Sequence, residues 1–188
     1  MRTILSVAAV ALLGIFLSAC QTAGPSAAPV SVETAQPYQL DSGDKVRIDV
    51  FGQQDMSGEQ TVDGSGNVTV PLLGLVEARG VTVDELRGRI VERLSSSNLL
   101  VNPSVNVQVV TYRPFFILGE VRQPGQFPYV EGMTVLTAVA ISGGFTFRAD
   151  QESFTVTRKT GSEIREETAQ RNSPVRPGDV IYVRERFF

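Results

Sequence analysis

The sequence predicts an α+β fold made of two small β-rich domains. Three observations carry this: short segments in which apolar and polar residues alternate, one well-capped amphipathic helix, and Gly or Pro turns between the segments. The elements divide the chain into an N-terminal leader over 1–19, a tether over 20–37, a first domain over 38–113 and a second over 114–188.

Lys45 to Phe51 places Val46, Ile48 and Val50 on one face and Lys45, Arg47 and Asp49 on the other, the pattern of a half-buried strand. Thr61 to Val70 reads as a hairpin turning at Gly64 and Gly66, with Pro71-Leu72-Leu73-Gly74 terminating it. Thr82-Val83-Asp84-Glu85 is a capping box, and Leu86, Ile90 and Leu94 follow on one helical face. The opposite face carries Arg87, Arg89, Glu92 and Arg93 and reads as solvated.

Ser104 to Tyr112 alternates again, with Val105, Val107 and Val109 inward, and Pro114 closes the first domain. Phe115 to Phe127 reads as a strand, a turn at Pro124-Gly125 and a return strand. Val135 to Ile141 is apolar all round and predicts a short buried helix stopped at Gly143-Gly144. Ser153 to Arg158, Ile164 to Thr168 and Val180 to Arg184 complete the set as strands. Ser42-Gly43-Asp44 and Pro177-Gly178-Asp179 each lead into a strand of the same phase; the repetition fits either a structural kinship or two unrelated turns.

Composition narrows the chemistry. Of 188 residues, 42% are hydrophobic and 20% charged, and 17 basic against 20 acidic residues give a formal charge of -3, which disfavours a nucleic-acid partner. The sequence has no histidine and one cysteine, Cys20, so intrachain disulfides and zinc sites built on those residues are excluded. No metal or other cofactor is expected.

Arg2 precedes an uncharged run from Ile4 to Leu17 that would be about 21 Å long as a helix, short of a bilayer core of about 30 Å. It reads as a signal peptide. The run ends in Leu17-Ser18-Ala19-Cys20, which resembles the bacterial lipobox and implies acylation of Cys20 after cleavage before it. Gln21 in the following position implies sorting to the outer membrane. The segment from Gln21 to Pro37, with Pro25, Pro29 and Pro37 among small residues, would reach about 50 Å if fully extended.

Tyr38 to Gly52 with its Gly43-Asp44 turn, Val62-Asp63 to Gly66, Pro71 to Gly74, Gly80-Val81-Thr82 with Glu85-Leu86, and Val101-Asn102-Pro103 occur in an order that resembles the export domain of bacterial outer-membrane polysaccharide export lipoproteins (Wza-like). Gly119-Glu120-Val121 with Pro124-Gly125, Met133 to Leu136, and Ser142-Gly143-Gly144 resemble the soluble-ligand-binding β-grasp module of that family. Two residues depart from the pattern, Ser42 before the first Gly-Asp and Ser142 before the glycine pair. The resemblance assigns structural roles to Gly43, Asp44, Pro71, Gly74, Pro103, Gly119, Pro124, Gly125, Gly143 and Gly144.

The resemblance implies a non-catalytic, ring-forming lipoprotein at the periplasmic face of the outer membrane. Such a ring would move capsule or exopolysaccharide in concert with an inner-membrane co-polymerase. Only Arg184 to Phe188 follow the last predicted strand, about 7.5 Å of helix. The expectation is therefore a collar that docks on a separate outer-membrane β-barrel channel. Two other classes compete. A carbohydrate-binding lipoprotein would need aromatic platforms, yet the chain lacks Trp and offers only Tyr38, Tyr112, Tyr129 and Tyr182, which read as strand-end residues with one wet edge. A polymer-cleaving enzyme would need paired carboxylates, for which Asp41 with Asp44, Asp63 and Glu120 are the candidates; turn and strand-end roles explain each more simply.

Overall fold

The computed structural model describes residues 37–160 and 163–186. Cys20, the signal peptide and the tether lie outside them, apart from Pro37. Residues from Pro37 onward cluster as one compact unit containing two separate hydrophobic cores.

The first core is assembled by two small sheets and a helix. Strand β1 (Lys45–Val50) is central in a three-stranded antiparallel sheet, between β2 (Gly58–Thr61) and β5 (Val105–Thr111). Its alternation buries Val46, Ile48 and Val50 as the sequence predicts. Strands β3 (Asn67–Val70) and β4 (Gly74–Glu77) pair with each other as a separate ribbon. Helix α1 (Val83–Ser96) starts at Thr82, whose hydroxyl accepts from the Glu85 N–H while the Glu85 carboxylate accepts from the Thr82 N–H. It drives Leu86, Ile90 and Leu94 into the core, where all three are fully buried.

The second core lies between a mixed five-stranded sheet and helix α2 (Val135–Ile141). The strand order is β7-β6-β10-β8-β9, from β6 (Phe115–Gly119), β7 (Gly125–Phe127), β8 (Ala149–Thr160), β9 (Glu163–Ala169) and β10 (Val180–Glu185). β6 and β10 run parallel and the other pairs antiparallel. Phe115, Ile117, Phe154, Val156, Ile181 and Val183 face the helix, which presents Val135, Ala138 and Val139 to them.

Two expectations about the first domain's strands are corrected. Thr61 to Val70 contains a turn but no paired hairpin: Thr61 ends a strand that pairs with β1, and Asn67 begins one that pairs with β4. Pro71 to Gly74 does not terminate a hairpin; it is the turn of one, with the Leu73 N–H bonded to the Val70 carbonyl. Apolar alternation specifies which face of a strand is buried, not which neighbour it takes.

Helix α2 is not buried all round. Leu136, Ala140 and Ile141 are exposed, because seven residues against a single sheet face can bury only one side. The polar side of α1 is more than a solvated surface, since Arg89 donates to both the carbonyl and the carboxylate of Glu77, and Arg93 donates to the Leu75 carbonyl. Long arginine side chains thereby satisfy backbone acceptors of β4.

Candidate functional site at the joint between the two cores

The two Gly-Asp turns meet where the cores join. Asp44 is fully buried, and its carboxylate accepts from the backbone N–H of Asp41 (2.8 Å) and Arg113 (2.8 Å), the Tyr38 hydroxyl (2.6 Å) and the Arg113 guanidinium (3.1 Å). Asp179 is also buried; it accepts from the Arg176 N–H (2.8 Å) and takes a two-pronged contact from Arg158 at 3.0 and 2.9 Å. Each turn thus bonds its carboxylate to the N–H three residues back and adds an arginine distant in sequence, Arg113 from the β5–β6 connection and Arg158 from β8. The repetition seen in sequence is a structural kinship. Charge-assisted, two-pronged bonds of this kind are what a buried carboxylate requires.

Arg113 ties the two turns together. Its Nη1 donates to the Tyr38 hydroxyl (2.9 Å) and its guanidinium lies 5.7 Å from the Tyr38 ring centroid. A Cβ built on Gly178 would stand 2.5 Å from Arg113 Nε, so this glycine, at φ +83°, admits the arginine only because it has no side chain. Backbone bonds fix the second turn beside the start of β6: the Gly178 N–H donates to the Pro114 carbonyl and the Phe116 N–H to the Asp179 carbonyl. A ladder of edge-to-face rings crosses it, Tyr38 on Tyr112 at 5.1 Å and Tyr112 on Tyr129 at 5.4 Å between centroids. Three of the four tyrosines therefore serve the joint.

The environment moves titrations in one direction. Burial, and then the hydrogen bond to the Asp44 carboxylate, push the Tyr38 phenol far above the ordinary tyrosine range. Burial raises Tyr112 and Tyr129 as well. The hydrogen bond to Asp179 raises Arg158 against the opposing effect of its own burial. These shifts hold phenols neutral and guanidinium groups charged, and none yields a base active near neutrality.

Beside the joint is a crevice of about 220 Å³ lined by Asp41, Ser42, Arg79, Arg113, Lys159 and Gly178. Arg79 is engaged with Asp41 (3.1 Å), the Ser42 hydroxyl (2.6 Å) and the Gly64 carbonyl (2.7 Å). The four carboxylates singled out from sequence do not converge on one reaction centre. Asp63 accepts from the N–H groups of Ser65 and Asn67 and shapes its turn, and Glu120 accepts from the Thr146 hydroxyl. Among the described residues, no three His, Cys, Asp or Glu side chains are grouped to hold a metal ion, and no buried side-chain nitrogen or oxygen lacks a partner.

The remaining motif residues occupy turns. Pro71 and Gly74 bound the β3–β4 turn, and Pro103 precedes β5. Pro124 and Gly125 lead into β7. Gly143 and Gly144 follow α2, where the carbonyls of Ser142 and Gly144 accept from the N–H groups of Gln123 and Arg122. Gly119 ends β6 at φ +87°, and a Cβ there would stand 2.1 Å from the Val183 carbonyl oxygen. Close backbone approach explains that glycine. Sequence reasoning missed Arg113, Arg158 and Arg79; the Gly-Asp repetition located the acids but carried no signal for the cations that neutralise them.

Two family models match the chain in succession, one described as polysaccharide biosynthesis/export protein over residues 32–110 and one described as SLBB domain over residues 114–167. Among curated proteins, the chain is 35% identical over 136 residues to the exopolysaccharide production protein ExoF of Rhizobium meliloti, an overlap covering 66% of this chain and 32% of that protein. It is 25% identical over 169 residues to the EPS I polysaccharide export outer membrane protein EpsA of Ralstonia nicotianae, covering 84% of this chain and 43% of that one. With the polysialic acid transport protein KpsD of Escherichia coli it shares 26% identity over 109 residues, 57% of this chain and 19% of that protein. The chain spans less than half the length of each of these relatives.

Proposed function

The chain belongs to the polysaccharide export protein family, and on that premise we propose that it is a non-catalytic component of a capsule or exopolysaccharide export complex, acting as an oligomeric conduit at the periplasmic face of the outer membrane. The observation that carries this reading is the succession of an export module and an SLBB module along one chain. The packing of Arg113 on Gly178 and the Tyr112–Tyr129 ring contact between the modules support it, because a conduit needs modules held at a constant angle while polymer moves past them. The fate of the candidate carboxylates supports a role without catalysis: Asp44 is consumed by the joint, and Asp41, Asp63 and Glu120 by local hydrogen bonds.

Cys20 serves in this reading as the acylated anchor, with residues 21–37 as the tether. Gly43, Asp44, Pro71, Gly74, Pro103, Gly119, Pro124, Gly125, Gly143 and Gly144 act as scaffold. An inner-membrane co-polymerase delivers the polymer, and a separate β-barrel channel receives it. Among the described residues no helix is long and apolar enough to cross a membrane.

Deletion of the protein tests the assignment. Surface polymer is expected to disappear while polymer synthesis in extracts continues; normal surface polymer, or cleavage of purified polymer by the protein, overturns it. Cys20→Ser is expected to release the protein from membranes, and retention in the outer-membrane fraction at unchanged mass would refute the anchor.

A further inference from the structure

The crevice beside the joint is built by both modules. Ser42 comes from the first Gly-Asp turn, Arg79 from the stretch between β4 and α1, Arg113 from the β5–β6 connection, Lys159 from the end of β8, and Gly178 from the second Gly-Asp turn. Three of its lining residues are cations and one, Asp41, is an acid. Two of the cations are balanced within the protein, Arg113 by the buried Asp44 and Arg79 by Asp41, each at 3.1 Å. Lys159 is exposed and makes no ion pair among the described residues. The crevice therefore holds one positive charge in excess, in a chain whose formal charge is -3.

From this geometry we propose that the crevice is a subsite for the carboxylate of an acidic sugar unit in the exported polymer, with Lys159 and Ser42 as the groups that recognise it. The proposal rests on the reading of the chain as an export component and names a chemical class for its polymer. Arg79 spends Nε on Asp41 and Nη2 on Ser42 and Gly64, and Arg113 spends Nη1 on Tyr38 and Asp44. Arg79 Nη1 and Arg113 Nη2 take no part in these bonds, and a carboxylate oxygen is the acceptor that suits such donors. The Ser42 hydroxyl accepts from Arg79 at 2.6 Å, which leaves its own proton to donate outward. The matching position of the second turn is Pro177, which has no side-chain donor.

Charge and size choose the ligand. One surplus positive charge matches a carboxylate, whereas a phosphate monoester, at about -1.5 to -2 near neutral pH, would leave negative charge unmatched. Among the described residues that line the crevice none is aromatic, so a neutral sugar finds no ring to stack on. At about 220 Å³ the crevice is smaller than the roughly 300–1,000 Å³ of a cleft that encloses a whole small-molecule ligand. It receives one charged unit while the rest of the strand stays outside. A net negative chain repels a polyanion elsewhere, which confines the contact to this point. A contact of one charged unit releases readily, as passage of a polymer requires.

The test measures binding of the full chain to a galacturonate oligomer, to its methyl ester, in which every carboxylate is neutral, and to a glutamate peptide of equal length. The acid is expected to bind about tenfold more tightly than the ester, and salt at about 0.5 M to remove most of that difference. Lys159→Ala should weaken binding of the acid about fivefold and Ser42→Ala about threefold, with the thermal midpoint unchanged. Arg184→Ala, which removes an equal charge near the other end of β10, should leave binding as it is. Equal affinity for acid and ester, or no binding of the acid, overturns the subsite and leaves the export reading standing. A loss in Arg184→Ala equal to that in Lys159→Ala overturns it in favour of general attraction to surface cations. Tighter binding of the glutamate peptide, with the same loss in Lys159→Ala, overturns it in favour of an acidic protein segment. Normal surface polymer in the deletion strain overturns the export reading itself and the subsite with it.

Discussion

Arg113 and Gly178 are packed so closely across the joint that the methyl group of an alanine at position 178 would stand 2.5 Å from Arg113 Nε. The arginine cannot swing aside cheaply, because its guanidinium is held by Asp44 and Tyr38. Gly178→Ala is therefore expected to cost about 1–2 kcal/mol for the left-handed backbone and a further amount of about 1–3 kcal/mol for overpacking. Denaturant unfolding measures it, and an unchanged midpoint would show that the joint can open at this point.

The Asp44 carboxylate offers a second measure of the same joint. Asp44→Ala removes the acceptor of four hydrogen bonds and leaves Arg113, mostly shielded from solvent, without a counter-charge. Breaking a buried pair from one side costs about 3–5 kcal/mol. The loss should exceed that of Arg79→Ala, whose partner Asp41 lies in a more exposed pair. Equal losses for the two variants would place the strength of the joint elsewhere.

The joint also shows what sequence reasoning can reach. Gly43-Asp44 and Gly178-Asp179 are visible as matching turns because the conformation and the strand phase are local properties. Arg113 stands 69 residues from Asp44, and Arg158 stands 21 from Asp179, and no local rule links them. Helix α1 was legible to its cap since its signals all fall within one segment. The β3–β4 ribbon was not: Leu72 occupies the left-handed region at φ 65° without being glycine, so Pro71 to Gly74 lacked the expected turn signature. In α2 the apolar composition of Leu136, Ala140 and Ile141 suggested burial that one sheet face has no room to supply.

Tyr38 predicts a dependence on alkaline pH. Its phenol is buried against the Asp44 carboxylate, and its folded-state pKa is raised above that of the unfolded chain, about 10. The folded protein then holds a proton that the unfolded chain releases, so stability is complete below pH of about 10 and declines as pH rises beyond it. Tyr38→Phe removes the share of this slope that Tyr38 contributes, leaving that of Tyr112 and Tyr129. The variant should be less stable than the parent near neutral pH, having lost the hydroxyl bonds to Asp44 and Arg113, and the gap should narrow above pH of about 10. Denaturation curves at pH 8 and at pH of about 10.5 measure it; parallel declines in both proteins would assign the alkaline loss to other groups.

Helix α1 separates the contribution of a cap from that of a core. Thr82 and Glu85 satisfy each other's backbone N–H at 3.2 and 2.7 Å, both in exposed positions where water can partly replace the lost bond. Thr82→Ala is expected to cost on the order of 1 kcal/mol. Ile90 is fully buried one turn from both Leu86 and Leu94, and the helix packs on β5 and β4, whose buried valines are held in sheets that cannot collapse into a void. Ile90→Ala should therefore cost about 2–5 kcal/mol. In the double variant the two losses should add, because the cap and the cavity share no partner. A double variant less stable than that sum would show that fraying at Thr82 reaches Ile90, and that the helix enters the core as a unit nucleated from its first turn.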